Sequence, residues 1–573
     1  MAVNKKEEFM KKITSICLAA LMGISIFSFV GCKSKIDNSA ETIEIFVYDA
    51  GYGTDWLDDM IEAFLVENPQ YSIPKPQKQQ SSSVIENMIK TGPSMTTDLF
   101  IVGEVWDRYI ELGDRAVNGY DYCLEPLDEV YEYIPEGESI PIGEKMWDEY
   151  NDFYKIGVME EGKYTEHYYA MPWASGLTAM MYNSEIFIDA GLKDSDGNAT
   201  EPRTTDELVE YSQTLLDSGY TPFIYSASVK YWEYMFWQWW AQYETLDGVE
   251  NFYMGRANSQ APSEVSAALA NLEQQGILES LRAIQNLIQP NMSDSSKDFV
   301  AENVESLDYT TMQTRFFAGQ GVMMPCGDWL ENEMKSEVAS SLDMPEILPM
   351  RTPIVSALSY KLSYWEYGDG VTYADALELS DFTGGKKDVY DGYLRSLVDY
   401  VDGKGSLPAY ADEETVQADA EIVQEARSVR YSIGMNHSCA IPSYATAKDG
   451  AKEFLKFMAS DEGIEIYLAN THGANLPYDF DYEGWEGWND LSTFSKRRYE
   501  LYEDVQWLPF AQKYATTYLG NLSPARDCFA SSFERKLGSR DPSTISTPEQ
   551  IIKSNVSYYS NRMQRLLQDA KLI

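Results

Sequence analysis

The sequence predicts an α/β fold, because segments with strand character alternate with amphipathic helices. Residues 42–48 alternate apolar and polar side chains and are rich in β-branched and aromatic residues, and a glycine turn then leads to a helix that begins at Asp55. Residues 97–102 form a second strand-like run before a loop and helix. Residues 177–182 form a third, and a helix follows that ends at Gly191.

The third unit shows how each boundary is encoded. Asn183 or Ser184 is a suitable N-cap, and Gly191 a suitable stop. Downstream, the pattern predicts an amphipathic helix over residues 205–216 and a returning strand over residues 220–225.

Three segments carry a resemblance to a known family. Residues 170–192, AMPWASGLTAMMYNSEIFIDAGL, are similar to the run through which carbohydrate-binding proteins of ATP-driven importers cross from their first lobe to their second. This family includes maltose-binding protein. Residues 201–208, EPRTTDEL, resemble its next helix start, and residues 316–329, FFAGQGVMMPCGDW, resemble a strand and glycine turn that present a tryptophan. The resemblance implies a two-lobed, periplasmic-binding-protein-like fold of type II with hinge crossings.

The resemblance also implies domain boundaries. The first lobe is expected over residues 41–172 and 433–480, and the second over residues 173–432. Residues 343–429 depart from the family pattern and read as an elaboration of the second lobe. Residues 481–573 are expected to form a tail, helical towards its end, that packs on the second lobe.

The N-terminus has the pattern of an export signal. A basic pair precedes the apolar residues 13–30, and the segment that ends at Cys32 resembles the lipobox of bacterial lipoproteins. This pattern predicts a signal peptide over residues 1–31, lipid on Cys32 and a polar tether over residues 32–40. The protein would then be held at the outer face of the bacterial cytoplasmic membrane.

Two points at this end stay open. An uncleaved single-span anchor is the alternative to a lipoprotein, since the apolar run is barely long enough to span a membrane. Translation can begin at Met1 or at Met10, because the acidic residues between them are unusual in the leading part of a signal.

Composition limits the function. The formal charge of −46 disfavours a nucleic-acid partner, which would require a cationic face. Three histidines and scattered cysteines indicate neither a His-rich metal site nor a disulfide framework. No phosphate-cradling glycine loop with lysine is found, so we expect no use of ATP by this chain and no cofactor.

The first lobe offers ligand candidates in two loops. Tyr52 and Trp56 follow the first strand, and ligands of open α/β sheets bind beyond the carboxyl ends of strands. An exposed turn tyrosine and a core tryptophan are equally good interpretations. The resemblance adds Glu104, Trp106 and Asp107 after the second strand, where a plain helix start is the alternative.

The second lobe offers aromatic candidates. Residues 231–243, YWEYMFWQWWAQY, place one aromatic stripe at helical spacing, which normally means core. We expect most of these rings to be buried, with Tyr231 or Trp232 facing a cleft. The resemblance assigns Trp329 to stacking on a sugar, against the alternative of a buried turn residue.

The crossings between the lobes add two candidates. Trp173 lies in the aromatic loop of the first crossing, and Asn436 lies where the chain is expected to return to the first lobe. A hydrogen-bonded core position is the alternative for Asn436.

Together these features predict a membrane-anchored, extracellular substrate-binding component of an importer that captures a sugar, in particular an oligosaccharide. Its partners would be the permease subunits, and it would act as a monomer without enzymatic activity. A binder of another solute with the same fold is the nearer alternative. A glycoside hydrolase is the more distant one, because it needs a specific carboxylate pair that the sequence does not single out.

Overall fold

The structure is a computed structural model, and it describes the chain in the following ranges: residues 40–49, 51–79, 96–102, 123–160, 163–253, 265–337, 345–364, 385–432, 437–474, 476–508, 533–560 and 562–569. The strands are β1 Glu41–Thr42, β2 Ile45–Tyr48, β3 Tyr71–Ser72, β4 Gln77–Gln79, β5 Leu99–Val102, β6 Lys155–Glu160, β7 Lys163–Tyr168, β8 Met171–Pro172, β9 Thr178–Asn183, β10 Met323–Gly327, β11 Ile347–Met350, β12 Val429–Tyr431, β13 Ser438–Ala440 and β14 Gln506–Leu508.

The α-helices are α1 Asp55–Glu67, α2 Asp128–Tyr131, α3 Ile142–Lys145, α4 Asp148–Tyr154, α5 Ser184–Asp189, α6 Thr205–Asp217, α7 Trp232–Tyr253, α8 Val265–Ala270, α9 Gln275–Ile288, α10 Tyr309–Phe317, α11 Leu330–Glu337, α12 Gly385–Val401, α13 Glu413–Ser428, α14 Lys448–Met458, α15 Asp461–Asn470, α16 Thr493–Glu500, α17 Phe533–Leu537, α18 Pro548–Ser560 and α19 Met563–Asp569.

Two separate sheets organise these elements. One sheet has the order β4-β2-β5-β13-β8, with β2 parallel to β4 and β5, and with β13 antiparallel to β5 and β8. The other has the order β10-β9-β11, with both outer strands antiparallel to β9. We call the elements around the five-stranded sheet the first lobe and those around the three-stranded sheet the second lobe.

Local sequence signals set several boundaries. The Asn183 side chain accepts a hydrogen bond from the backbone N–H of Ile186 at 3.0 Å and caps α5, as predicted. Gly191 follows α5 with a φ of 86°, which only glycine adopts easily. Thr204 caps α6 in the same way by accepting from Glu207.

Two predicted strands differ from the structure. Residues 42–48 form two short strands rather than one, because the backbone N–H of Glu44 donates to the Asp98 side chain at 3.0 Å instead of to a neighbouring strand. Residues 220–225 form only isolated bridges at Phe223. Pro222 in this segment has no N–H to donate to a ladder.

The two crossings between the lobes lie side by side. Leu177, between β8 and β9, forms an antiparallel bridge with Ser432, which follows β12. Thr178 Oγ1 donates to the Tyr431 carbonyl at 2.8 Å, and Ser432 Oγ donates to the Ser175 carbonyl at 2.6 Å. A pair of adjacent connections is the arrangement about which two lobes can rotate.

The C-terminal region contacts both lobes. The helices α17, α18 and α19 pack on α8 and α9 of the second lobe. The preceding segment reaches the first lobe as well, since Trp507 stacks on Trp147 at 5.6 Å between ring centroids. Helices at the end of this region thus contact the second lobe, and the segment before them also contacts the first; the predicted domain boundaries stay a prediction.

Across the described ranges, no helix combines the length and apolar character needed to cross a bilayer. The apolar segment 13–30 and Cys32 lie outside these ranges.

Candidate functional site

The site is built on the turn that follows β10. The strand ends at Gly327, where an added Cβ would lie 1.9 Å from Cζ3 of Trp329. Glycine at this position therefore allows the indole of Trp329 to fold back against the end of its own strand. Trp329 is only 7% exposed, and the Asp328 side chain beside it is fully buried.

Aromatic rings from both lobes surround Trp329. Tyr231 and Tyr234, at the start of α7, approach edge-on at centroid distances of 6.4 and 6.3 Å. From the first lobe, Tyr52 approaches edge-on at 6.5 Å. An added Cβ on Gly51 would lie 3.4 Å from Cβ of Trp329. Trp329 thus lies where the turn after β2 meets the turn after β10.

A hydrogen-bond network centres on the buried Asp328 carboxylate. Tyr52 donates to Oδ1 at 2.5 Å, and Tyr502, in the turn after α16, donates to Oδ2 at 3.0 Å. Arg498 Nη1 lies 4.0 Å from Oδ2. Burial raises the pKa of the Asp328 carboxyl above its usual range, although Arg498 and the two phenols act in the opposite direction. An ionised carboxylate accepts hydrogen bonds from hydroxyl groups, and Asp328 accepts them here from the phenols of Tyr52 and Tyr502.

Two buried donors beside this carboxylate have no protein partner in the described part of the chain. They are the hydroxyl of Tyr467, on α15 of the first lobe, and Nε of Arg498. Burial and the Asp328 carboxylate raise the pKa of Tyr467, so its hydroxyl stays protonated and able to donate. Most buried donors in proteins have a hydrogen-bond partner, so these two are exceptions among the described residues.

Helix α11 extends the contact between the lobes. Asn332 donates to the Thr471 carbonyl at 2.9 Å. Glu333 accepts from Gln313 at 2.6 Å and from the backbone N–H of Gly51. The turn and helix that follow β10 therefore contact the first lobe at several points.

A tryptophan pair supports Tyr52 from within the first lobe. Trp173 stacks on Trp56 with centroids 5.9 Å apart and planes at 20°. The indole Nε1 of Trp173 donates to the Val102 carbonyl at 2.7 Å. Tyr52 approaches the Trp173 ring edge-on at 6.1 Å. This stack fixes the position of the turn that carries Tyr52.

The predicted site residues divide into three groups. Tyr52, Trp173, Tyr231 and Trp329 belong to one connected cluster of rings, with Trp56 behind Trp173. Trp232 is fully buried in the second lobe, where it packs on Phe223 and Tyr225. The predicted residues Glu104, Trp106, Asp107 and Asn436 lie outside the described residues, and their roles stay predictions.

Sequence reasoning did not identify four of the polar groups. Arg498 and Tyr502 come from the segment after residue 480, Tyr467 comes from a first-lobe helix, and Asp328 was not assigned to the site. No local motif marks Arg498, Tyr502 or Tyr467, whereas Asp328 lies inside the motif of residues 316–329. Only the neighbouring tryptophan could have directed attention to Asp328.

Two cavities in the described part of the chain lie elsewhere. One of about 650 Å³ is lined by residues that include Glu138, Trp147 and Tyr482, and one of about 480 Å³ by residues that include Asp391 and Arg395. Within the described ranges, no group of three or more His, Cys, Asp or Glu side chains is placed to hold a metal ion.

Comparisons with known proteins concern the family and the fold of the chain. The family model described as bacterial extracellular solute-binding protein matches residues 51–338, about half of the chain. A curated relative, the diacetylchitobiose binding protein NgcE of Streptomyces coelicolor, is 24% identical over 324 residues. That match covers 56% of this chain and 59% of the relative.

Solved structures share the fold across most of the chain. The solute-binding protein RafE in complex with raffinose has a TM-score of 0.52 at 16% identity, covering 91% of this chain and 99% of that one. A chitin oligosaccharide binding protein has a TM-score of 0.52 at 14% identity, with coverages of 92% and 100%. The substrate-binding protein Lmo0181 of Listeria monocytogenes, in complex with cycloalternan, has a TM-score of 0.53 at 14% identity, with coverages of 92% and 99%.

Proposed function

The chain belongs to the family of bacterial extracellular solute-binding proteins, and from this premise we propose that it captures a sugar for an ATP-driven importer. The sugar is an oligosaccharide. The protein holds it between its lobes and delivers it to the membrane permease, acting as a monomer without catalysis.

The observation that carries this proposal is the position of Trp329. Its indole lies between Tyr231 and Tyr234 of the second lobe and Tyr52 of the first. Aromatic rings stack on the apolar faces of pyranoses, and the neighbouring carboxylate, guanidinium and phenols suit sugar hydroxyls. A site with both kinds of group at the junction of two lobes supports a sugar better than an apolar solute.

Closure of the lobes is the step that signals occupancy. The adjacent crossings at Leu177 and Ser432 support a hinge. In our proposal, a sugar that contacts Trp329 from one lobe and Tyr52 from the other favours the closed arrangement, because it binds that arrangement more tightly.

One structural neighbour, the solute receptor AcbH, is described with a preference for the monosaccharide β-D-galactopyranose. The names of four other relatives favour an oligosaccharide. They describe proteins for diacetylchitobiose, raffinose, chitin oligosaccharide and cycloalternan. Each of these ligands contains more than one sugar ring. We infer a ligand of the same class here, with its linkage and length left to experiment.

We further propose that lipid on Cys32 anchors the protein to the outer face of the cytoplasmic membrane. The apolar run that ends at Cys32 supports this, and the polar residues 33–40 supply a tether between the lipid and the first strand. A protein held in this way stays near its permease while its lobes remain free to move.

A ligand screen tests the function. The purified protein is heated with a panel of oligosaccharides, monosaccharides, polyols and short peptides, and the melting temperature is recorded. The proposal predicts a rise with at least one oligosaccharide, which is recovered intact. A rise in melting temperature only with peptides or polyols would show that the protein binds another class of solute. Release of reducing ends from an oligosaccharide would show that it is a glycoside hydrolase.

A further inference from the structure

A second polar cluster lies in the second lobe and has the opposite charge to the protein as a whole. It contains Arg351 after β11, Arg427 at the end of α13, Arg430 on β12 and Arg497 on α16. We call these four residues the arginine cluster. The whole chain carries a formal charge of −46, so four guanidinium groups at one place are opposite in sign to the net charge of the protein.

Three members of the arginine cluster have carboxylate partners. Arg427 binds Asp402 through two nitrogens at 2.8 and 3.1 Å, and Arg351 binds the same carboxylate at 3.1 Å. Arg497 binds Glu201 at 2.9 Å. Asp402 is therefore shared by two guanidinium groups.

Arg430 has no carboxylate partner within 4.0 Å in the described part of the chain. Its Nη1 donates to the carbonyls of Arg427 and Val429 at 2.8 and 2.7 Å. Its Nε and Nη2 are buried without a hydrogen-bond partner, and the same is true of Nε of Arg351. Arg430 is only 1% exposed, so bulk water does not solvate these groups.

The charges of the cluster do not balance. Besides the four arginines, Lys404 lies 3.9 Å from Asp402, whereas the carboxylates in contact are Asp402, Glu201 and Glu500. Two positive charges remain in excess. Burial and the neighbouring arginines lower the pKa of Arg430. Uncompensated buried charge is strongly unfavourable, whereas a counter-ion that accepts the free N–H groups removes the penalty.

We propose that the arginine cluster binds a small monovalent anion of about the size of chloride, which accepts hydrogen bonds from Nε and Nη2 of Arg430. The near-complete burial of Arg430 favours an ion of this size. Arg351 and Arg497 are each about one-quarter exposed at their side chains and give the ion a route from solvent.

This site is distinct from the sugar site. Successive side chains of a strand point to opposite faces, so Arg430 faces away from its neighbour Tyr431. Tyr431 contacts Tyr234 and Trp237, on the side of β12 that leads to Trp329. The anion would thus stabilise the second lobe beside the crossing without touching the sugar.

Chloride titration of the purified full chain tests the proposal. Sodium gluconate, whose anion is too bulky for a buried site, is replaced stepwise by sodium chloride at constant ionic strength. We expect chloride to raise the melting temperature by about 1–2 °C. Crystals grown in sodium bromide should show an anomalous peak within hydrogen-bond distance of Arg430.

Two variants sharpen the test. Arg430→Met removes the unpaired charge, so it should be at least as stable as the wild type in gluconate and should lose the response to chloride. Arg282→Met is the control, because Arg282 is paired with Glu279 and Glu549. It should be less stable in both salts and keep the response.

Equal melting temperatures in chloride and gluconate would overturn the proposal, as would an Arg430→Met variant that keeps the chloride response. If that variant does not fold, the bromide experiment on the wild type decides. An anomalous peak at Arg430 supports the site, and its absence refutes it.

Discussion

The hydroxyl of Tyr52 donates to the carboxylate of Asp328 at 2.5 Å, and this hydrogen bond joins the two lobes. Both side chains are buried. The bond links the turn after β2 to the turn after β10, directly beside the indole of Trp329. A polar contact and an aromatic contact therefore connect the lobes at the same place.

Removal of the Tyr52 hydroxyl should destabilise the protein. Tyr52→Phe leaves the buried Asp328 carboxylate without one of its donors, and a hydrogen bond to a charged group contributes about 1.5–3 kcal/mol. Urea denaturation should show a loss of this order. The control is Tyr220→Phe, because Tyr220 donates to Asp189 at 2.6 Å in an exposed pair and should matter little. Equal effects of the two variants would show that burial of the pair contributes nothing.

A methyl group at Gly327 should displace Trp329. In Gly327→Ala, Cβ would overlap the indole at 1.9 Å, so the ring must leave its place between the tyrosines. Sugar affinity, measured by calorimetry, should fall about as much as on loss of the ring itself. Gly392→Ala is the matched control, since Gly392 lies on α12 with open space around its Cα. Unchanged affinity in Gly327→Ala would mean that the ring position is unimportant.

Stability should depend on pH through Glu534. Burial raises the pKa of this carboxyl well above its ordinary value of 4.5, and Glu233 adds to the rise, whereas the backbone N–H of Trp232 opposes it. The folded state then favours the protonated form of Glu534. The contribution of this group to stability is therefore fully present below pH 4.5 and is lost as pH rises through the folded pKa. Glu534→Gln should therefore be more stable than the wild type at pH 7, and this difference should vanish in acid.

Glu549 provides a control, because its pKa is shifted in the opposite direction to that of Glu534. Burial acts to raise its pKa, but hydrogen bonds and Arg282 outweigh this and lower it. The stability that the Glu549 carboxylate contributes is present above pH 4.5, the ordinary pKa of a glutamate, and is lost as pH falls through the folded pKa. Glu549→Gln should thus be less stable than the wild type at pH 7. Unfolding curves of both variants from pH 4 to 8 check these signs, and a Glu534→Gln variant that is destabilised at pH 7 would contradict the assignment.

The lipid anchor can be tested in cells. Cys32→Ala removes the predicted acylation site, so the protein should move from the membrane fraction to the medium, unless its signal segment stays uncleaved as a membrane anchor. Cys17→Ala, inside the apolar segment, keeps Cys32 and should stay in the membrane fraction. Retention of Cys32→Ala in the membrane would favour the uncleaved single span.

Local features of this chain were predictable from sequence. The cap at Asn183, the stop at Gly191 and the buried stripe of α7 follow from rules that act over one or two turns. Trp329 was identified through the resemblance of residues 316–329 to the family's glycine turn. The break in the strand at residues 42–48 depends on Asp98, which lies 54 residues from Glu44 in the chain. The missing strand at residues 220–225 depends on Pro222, whose lack of an N–H is not considered when only the spacing of apolar residues is counted.

The polar half of the site was not predictable in this way. Arg498 and Tyr502 lie about 170 residues after Asp328 in the chain, and their contacts exist only once the segment after α15 packs between the lobes. Which of Tyr231 and Trp232 faces the cleft could also be decided only from the fold. Adjacent helix positions differ by about 100°, and it is Trp232 that faces the core.

The most direct test of the account is calorimetric titration of the Trp329→Ala variant with the sugar that the screen identifies. We predict at least a tenfold loss of affinity, since one aromatic contact contributes about 0.5–1.5 kcal/mol in addition to the area that it buries. The half-buried Trp485 makes no ring contact with the described residues, and it provides the control Trp485→Ala, which should bind as the wild type does. Equal affinity of Trp329→Ala and the wild type for every sugar that binds would contradict the central claim.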